Sequence, residues 1–327
     1  MKIHTLYFAL LFTLFTGSLF SVTAQDRETP SPALLVGEKD GALLAIVDPY
    51  TLEVVARIPA NPNPHEVTTD GQYAYISNSG ASAITVIDLT AQELVEGIDL
   101  QPLSPIHGLE VAGGYLYFAN ENSRTLGRYN LETREIDWVF GTGLEQSHML
   151  VVNEDGSKLF TTNMAPGTAS IIERTASGGR AIRTVYTGNR AEGLGLSPNG
   201  EEFWVSNVHD ATITIIDVDS WEITGTIDLP TTFSNRLRFS PNGQFVIVAD
   251  LQGDDILIID TDSRTIVKQI DVGGGSEGLM FSPDGSRAFI AVSMANKVAA
   301  IDMETLTVAG EIHGFSNPDG LAWAVAP

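Results

Sequence analysis

The chain is 327 residues long and carries 41 acidic side chains against 18 lysines and arginines, a formal charge of -23 at pH 7. That excess leaves no basic groove for a phosphate backbone, so a nucleic-acid partner is not expected. There is no cysteine, which excludes disulfides, thiol catalysis and anchoring through a lipidated cysteine.

Residues 1–24 read as a signal peptide. Lys2 supplies a positive start, Leu6 to Phe20 is almost wholly apolar, and Val22-Thr23-Ala24 is a small-residue cleavage site. Export, to the periplasm or beyond the cell, is therefore expected. The apolar run is short for a membrane span, so none is expected after cleavage. A short polar lead follows at 25–32.

From 33 to 327 the sequence repeats. Glu38 to Asp48, Asn78 to Asp88, Asn120 to Asn130, Asn163 to Glu173, Asn207 to Asp217, Asp250 to Asp260 and Val292 to Asp302 are each ten residues apart, and the motif returns about every 42 residues in seven copies. The copy from Glu192 to Leu229 reads EGLGLSPNG, EEFWVSN, ATITIID and WEITGTIDL. These are four short β-rich segments, the first two joined by a turn with Asn-Gly. Asp70-Gly71, Asp155-Gly156, Asn242-Gly243 and Asp284-Gly285 fall at the same turn, and Gly113-Gly114 takes its place in another copy. A four-stranded meander of this kind must stack on its neighbours to bury its faces. A period in the forties predicts an all-β, seven-bladed propeller with four antiparallel strands per blade.

The first copy lacks its first strand, and the segment from Asp319 to Pro327 is a first strand with nothing after it. Both termini are predicted to complete one blade, which removes the free edges of an open array. A monomer is expected. The segments DPYTLE, DLTAQE, NLETRE, DVDSWE, DTDSRT and DMETLT fall between the third and fourth strands, where the leading Asp or Asn caps its own turn. None has the glycine and terminal glutamate of a calcium loop.

The pieces SPNGEEFWVSN, ATITIIDVDSWEITGTI, SPNGQFVIVAD and SPDGSRAFIAV resemble the repeat of the YVTN-type β-propeller proteins. The resemblance runs through all seven copies and implies the propeller fold, within a superfamily that includes lactonase-like propellers.

The residue at the entrance to each first strand can be aligned by the apolar residue two places on: Val67, Leu109, Leu150, Leu194, Leu237, Leu279 and Leu321. The entrance residues are then His65, His107, His148, Glu192, Asn235, Glu277 and Asp319, all polar. In a propeller the first strand is innermost, so these positions form a ring about the central channel. Asn78, Asn120, Asn163, Asn207 and Asp250 end the second strand and return to the same rim, and His209 and His313 lie in loops that open there. Three imidazoles with nearby carboxylates are a donor set for a divalent transition metal, with zinc, iron or copper all suited. Asn78, Asn120 and Asn163 are candidates to orient the imidazole rings. Glu192 and Glu277 are candidate proton carriers, and Arg236 is a candidate anion receptor that equally suits neutralising Glu192 or Glu277.

No Gly-x-Ser-x-Gly elbow, Walker loop, dinucleotide fingerprint or His-Glu-x-x-His helix is present. Two function classes follow. One is a metal-dependent hydrolase or lyase acting on a small anionic or lactone-like substrate. The other is a non-catalytic propeller that binds a small-molecule ligand or a partner protein.

Overall fold

The computed structural model describes residues 28–103, 105–175 and 178–325. The expected signal peptide and the start of the polar lead lie outside the described residues. Twenty-eight strands form seven four-stranded antiparallel sheets, with one short 3-10 turn, Ser293–Ala295, as the sole helical element among the described residues. The fold is the predicted seven-bladed propeller.

Closure is made by both termini. The strand Pro318–Ala324 pairs with Ala33–Glu38, so it becomes the first strand of the blade that the amino terminus begins. Seven apolar clusters hold the ring together, and each spans two neighbouring blades. Leu34, Val36 and Leu321 of the closing blade pack with Phe289 and Val298 of the preceding one. Ala322, Leu35 and Ile46 pack on the other side with Val67 and Ile76. Seven interfaces for seven blades leave no unpaired blade face. Each fully buried aliphatic side chain contributes about 1.5–3 kcal/mol. The polar lead is tied to the first full blade through Thr29, whose hydroxyl donates to the Leu89 carbonyl and accepts from Gln92 Nε2 at 3.2 Å.

The turns carry the chemistry their sequences imply. Gly71, Gly156, Gly200, Gly243 and Gly285 all have positive φ. In four of these turns the glycine N–H closes onto the carbonyl three residues back, as Gly200 does onto Ser197 at 2.8 Å. The connection is thus a type I turn ended by a left-handed glycine rather than a two-residue hairpin loop. Between third and fourth strands, Asp48, Asp88, Asn130, Asp217, Asp260 and Asp302 each accept backbone N–H groups two or three residues on.

One local irregularity positions the site. In five blades the inner strand slips by one residue against the second strand: between Pro64 and Val67, Ile106 and Leu109, Ser147 and Leu150, Ala191 and Leu194, and Pro318 and Leu321. Two residues face one across each slip, which is a β-bulge, and a bulge re-aims side chains. The residues so displaced include His65, His107, His148, Glu192 and Asp319. The bulge frees a backbone N–H, and the second strand answers it: Ser77 Oγ accepts from Glu66 N at 2.9 Å, and Ser206 Oγ from Gly193 N at 3.0 Å.

Candidate metal and ligand site at the channel mouth

Behind each entrance residue comes a position that is glycine in four blades: Gly108, Gly193, Gly278 and Gly320. The next blade's inner strand presses against it. A Cβ on Gly278 would sit 1.9 Å from the Asp319 carbonyl oxygen, and one on Gly320 would sit 2.2 Å from that of His65. Glu66, Met149 and Arg236 occupy the same position in the other three blades. Glu66 and Arg236 meet there, with Arg236 Nη2 2.5 Å from Glu66 Oε1. This salt bridge joins the blade of His65 to the blade of Asn235.

The loops after the second strands supply more charge. Their first residues are anchored to the residue two places before the entrance position, as in Lys39 N to Asn317 O at 3.0 Å, Met164 N to Gln146 O at 3.0 Å and Val208 N to Arg190 O at 3.0 Å. Asn317, Gln146, Arg190 and Asn63 have positive φ at this bend. From the same loop positions Lys39 and Glu121 enter the site. Lys39 Nζ lies 2.5 Å from Glu277 Oε2 and 3.5 Å from Asp319 Oδ2.

The three histidines stack in a column across three adjacent blades. Ring centroids are 4.2 Å apart for His65 and His107 and 3.7 Å for His107 and His148. Their donor atoms fall into two overlapping groups, His65 with Glu66 and His107, and His107 with Glu121 and His148, each within 4.8 Å. The site therefore brings the histidines together as two His-Glu-His sets that share His107.

Each ring has a distinct environment. His65 Nδ1 lies 2.8 Å from Asp319 Oδ2, a charge contact in which the N–H is not aimed at the carboxylate. Burial opposes its protonation, but Asp319 and Glu66 prevail and push its pKa up to about 9. In return, although burial opposes ionisation of Asp319, His65 and Lys39 hold its carboxyl well below the usual range. His107 is pressed the other way. Burial and then the neighbouring His148 and His65 hold it well below the usual imidazole value, so it is neutral, and its Nδ1 is buried with no hydrogen-bond partner. His148 bonds through Nδ1 to Glu121. Its Nε2 is buried without a hydrogen bond, 3.9 Å from Glu192 Oε1.

The remaining carboxylates differ in how they are held. Glu192 accepts from Arg190 Nε at 2.7 Å and lies 4.0 Å from Arg236 Nη1. Glu277 is crowded by burial and by Asp319, which raise its pKa against the pull of Lys39. Asn235 is buried beside Arg236, with its Oδ1 unpartnered.

Two expected roles need correction. Arg236 is committed to Glu66, so its guanidinium is not presented as a free anion receptor, and its main partner is neither Glu192 nor Glu277. The amides of Asn78, Asn120, Asn163 and Asn207 do not reach the imidazoles. Asn78 Nδ2 donates to Ile76 O, Ala83 O and Thr85 Oγ1, Asn120 to Thr125, Asn163 to Thr168 and Ser170, and Asn207 to Thr212 and Thr214. They lock their own hairpins, and Asp250 likewise accepts from Thr232 and Phe233 N–H at 2.7 Å. His209 stands in the turn after Asn207, where its N–H donates to Asn189 O, and His313 is exposed beside Glu311.

No protein-family model and no curated protein matches the chain. Solved structures do. A functionally unknown protein from Desulfotomaculum acetoxidans aligns over 91% of this chain and 100% of its own, with a TM-score of 0.78 and 13% identity. Hydrazine synthase from Kuenenia stuttgartiensis aligns over 86% of this chain and 99% of its own, with a TM-score of 0.70 and 15% identity. At these identities the likeness supports the fold alone.

Proposed function

We propose that this is an exported propeller of the YVTN-type, lactonase-like kind whose channel mouth binds a divalent transition metal through His107 and through His148, which Glu121 orients. One observation carries the reading. His148 has its Nδ1 held by a carboxylate and its Nε2 buried and unpartnered, while the adjacent neutral His107 also buries a bare nitrogen. A carboxylate on one imidazole nitrogen fixes the ring and leaves the other free as a ligand. Zinc, iron and copper all accept this donor set.

Such a metal supplies a Lewis acid or a more acidic bound water. The chain's own groups then fall into roles. Glu121 orients His148, and Arg190 holds Glu192 against the Nε2 side. The Glu66–Arg236 bridge sets the floor beside His107. Glu277, with a raised pKa and Lys39 against it, is the better proton carrier of the two glutamates first considered. Metal-dependent hydrolysis or a lyase step on a small substrate is the chemistry these groups suit. Binding of a ligand or partner protein without turnover is the second reading, favoured by the commitment of Arg236 to Glu66, which removes a free receptor for an anionic substrate.

Elemental analysis of untagged protein tests the metal reading. About one equivalent of zinc, iron or copper is expected in the wild type and its loss in His107→Ala and His148→Ala. Metal-free wild-type protein that also fails to take up zinc, iron or copper on titration would overturn it. With metal present, Glu277→Gln that leaves metal content intact and abolishes hydrolysis in a lactone and ester screen supports catalysis. Retained hydrolysis would remove Glu277 from the mechanism.

A further inference from the structure

Below the Glu66–Arg236 bridge the central channel is not filled. A cavity of about 490 Å³ runs from that bridge toward the turns at Thr69, Pro198 and Ser240, and none of the three histidines lines it. Its wall carries a belt of aliphatic side chains, Leu109, Leu150, Leu194, Leu237, Leu279 and Leu321, one from each of six inner strands, with Phe239 and Trp323 nearer the far end. The volume lies in the range of small-molecule pockets, and the wall combines apolar and polar surface.

Into this cavity project Arg238 and Glu110, from inner strands of different blades. Arg238 lines the cavity and is exposed to it. Among the described residues its guanidinium has neither a hydrogen bond nor a carboxylate within ion-pairing distance. That separates it from Arg236, two residues earlier, which is spent on Glu66. Glu110 has its Oε2 held by Val152 N at 2.8 Å. The guanidinium is left to solvent or to a ligand in the cavity, and its planar donors match the two oxygens of a carboxylate.

We propose that the lower channel is a second binding site, separate from the mouth, for a small monocarboxylate whose head pairs with Arg238 and whose apolar body lies on the leucine belt. A single negative charge suits the site at pH 8, where Glu110, on another blade of the same cavity, is ionised and repels a dianion such as phosphate more than a monoanion. A neutral apolar ligand leaves Arg238 unmet.

Calorimetric titration of the mature protein at pH 8 with octanoate, benzoate, octanol and inorganic phosphate tests the assignment. Saturable 1:1 binding of octanoate or benzoate is expected, with weakening of about tenfold or more in Arg238→Met, the range for loss of a charge-assisted hydrogen bond. Octanol and phosphate are expected to bind more weakly than octanoate. Because the site does not rest on the metal reading, binding should persist after EDTA treatment and in His148→Ala. Circular dichroism and a melting curve establish that Arg238→Met is folded. Should it not fold, Arg238→Lys, which keeps the charge but loses the planar fork, is expected to weaken octanoate binding by a smaller factor. Absence of carboxylate binding, unchanged affinity in the folded Arg238 variant, or phosphate or octanol binding as tightly as octanoate would each overturn the proposal.

Discussion

His148 shows how one side chain acquires a function from two neighbours. Glu121 fixes the ring through Nδ1, and burial leaves Nε2 with nothing to bond. Removing the orienting carboxylate while keeping its shape isolates that effect. Glu121→Gln is expected to lower metal affinity about 10–100-fold with little change in melting temperature, measured by competition with a chromogenic chelator. Unchanged affinity would mean that Glu121 is a structural partner only. Glu110 makes stability depend on pH. Burial raises its pKa from 4.5 to about 7, against the Val152 N–H and Arg238. The folded state therefore binds more protons than the unfolded state between those values. The stability this group contributes is full below about pH 4.5 and is lost as pH rises to about 7. Glu110→Gln should flatten the fall in urea-unfolding free energy across this window and stabilise the protein at pH 8. A slope identical to wild type would contradict it.

At the scale of the element, the inner strand does two jobs that compete. It must lie close to the next blade's inner strand, which is why glycine follows the entrance residue in four blades, and it must turn the entrance side chain into the channel, which the bulge does. Gly278→Ala places a methyl group 1.9 Å from the Asp319 carbonyl oxygen. Backbone cannot yield as a flexible side chain can, so a loss of about 3 kcal/mol or more is expected in denaturant unfolding. A loss under about 1 kcal/mol would show that the strands separate easily at this point.

The same element explains what the sequence disclosed and what it hid. The entrance ring could be found because seven copies share one register, so His65, His107 and His148 fall into line by counting. Glu66, Glu121 and Lys39 escaped because they stand one residue beyond the positions compared. Glu66 is conspicuous only once its counterparts are seen to be mostly glycine, and that signal was available in the sequence. The pairing of Arg236 with Glu66 was not, since it spans 170 residues and depends on side-chain reach across the channel. The asparagines bond within their own hairpins, and Asn163 and Asn207 signal this in the sequence through hydroxyl residues five and seven places on. That spacing marks a local hairpin lock, because antiparallel partners set those hydroxyls beside the amide.

On the scale of the whole molecule, the ring is closed by one short strand. Pro318–Ala324 supplies the inner strand of its blade, brings Asp319 to His65 and seals two interblade clusters through Leu321 and Ala322. Deleting residues 318–327 should expose the edge of Ala33–Glu38 and yield aggregated protein, seen by size-exclusion chromatography and light scattering. A monodisperse, cooperatively unfolding product would mean that six full blades and one incomplete blade suffice. The mouth and the lower channel are likewise products of the ring, since no single blade contains either.

Anomalous diffraction from crystals grown with zinc reads directly whether His107 and His148, the latter oriented by Glu121, form a metal centre. One strong anomalous peak is expected at the channel mouth, about 2.0–2.1 Å from a nitrogen of His107 and the Nε2 of His148, with Glu121 still on the Nδ1 of His148. No peak at the mouth in zinc-saturated crystals, or a peak that touches neither histidine, would contradict it.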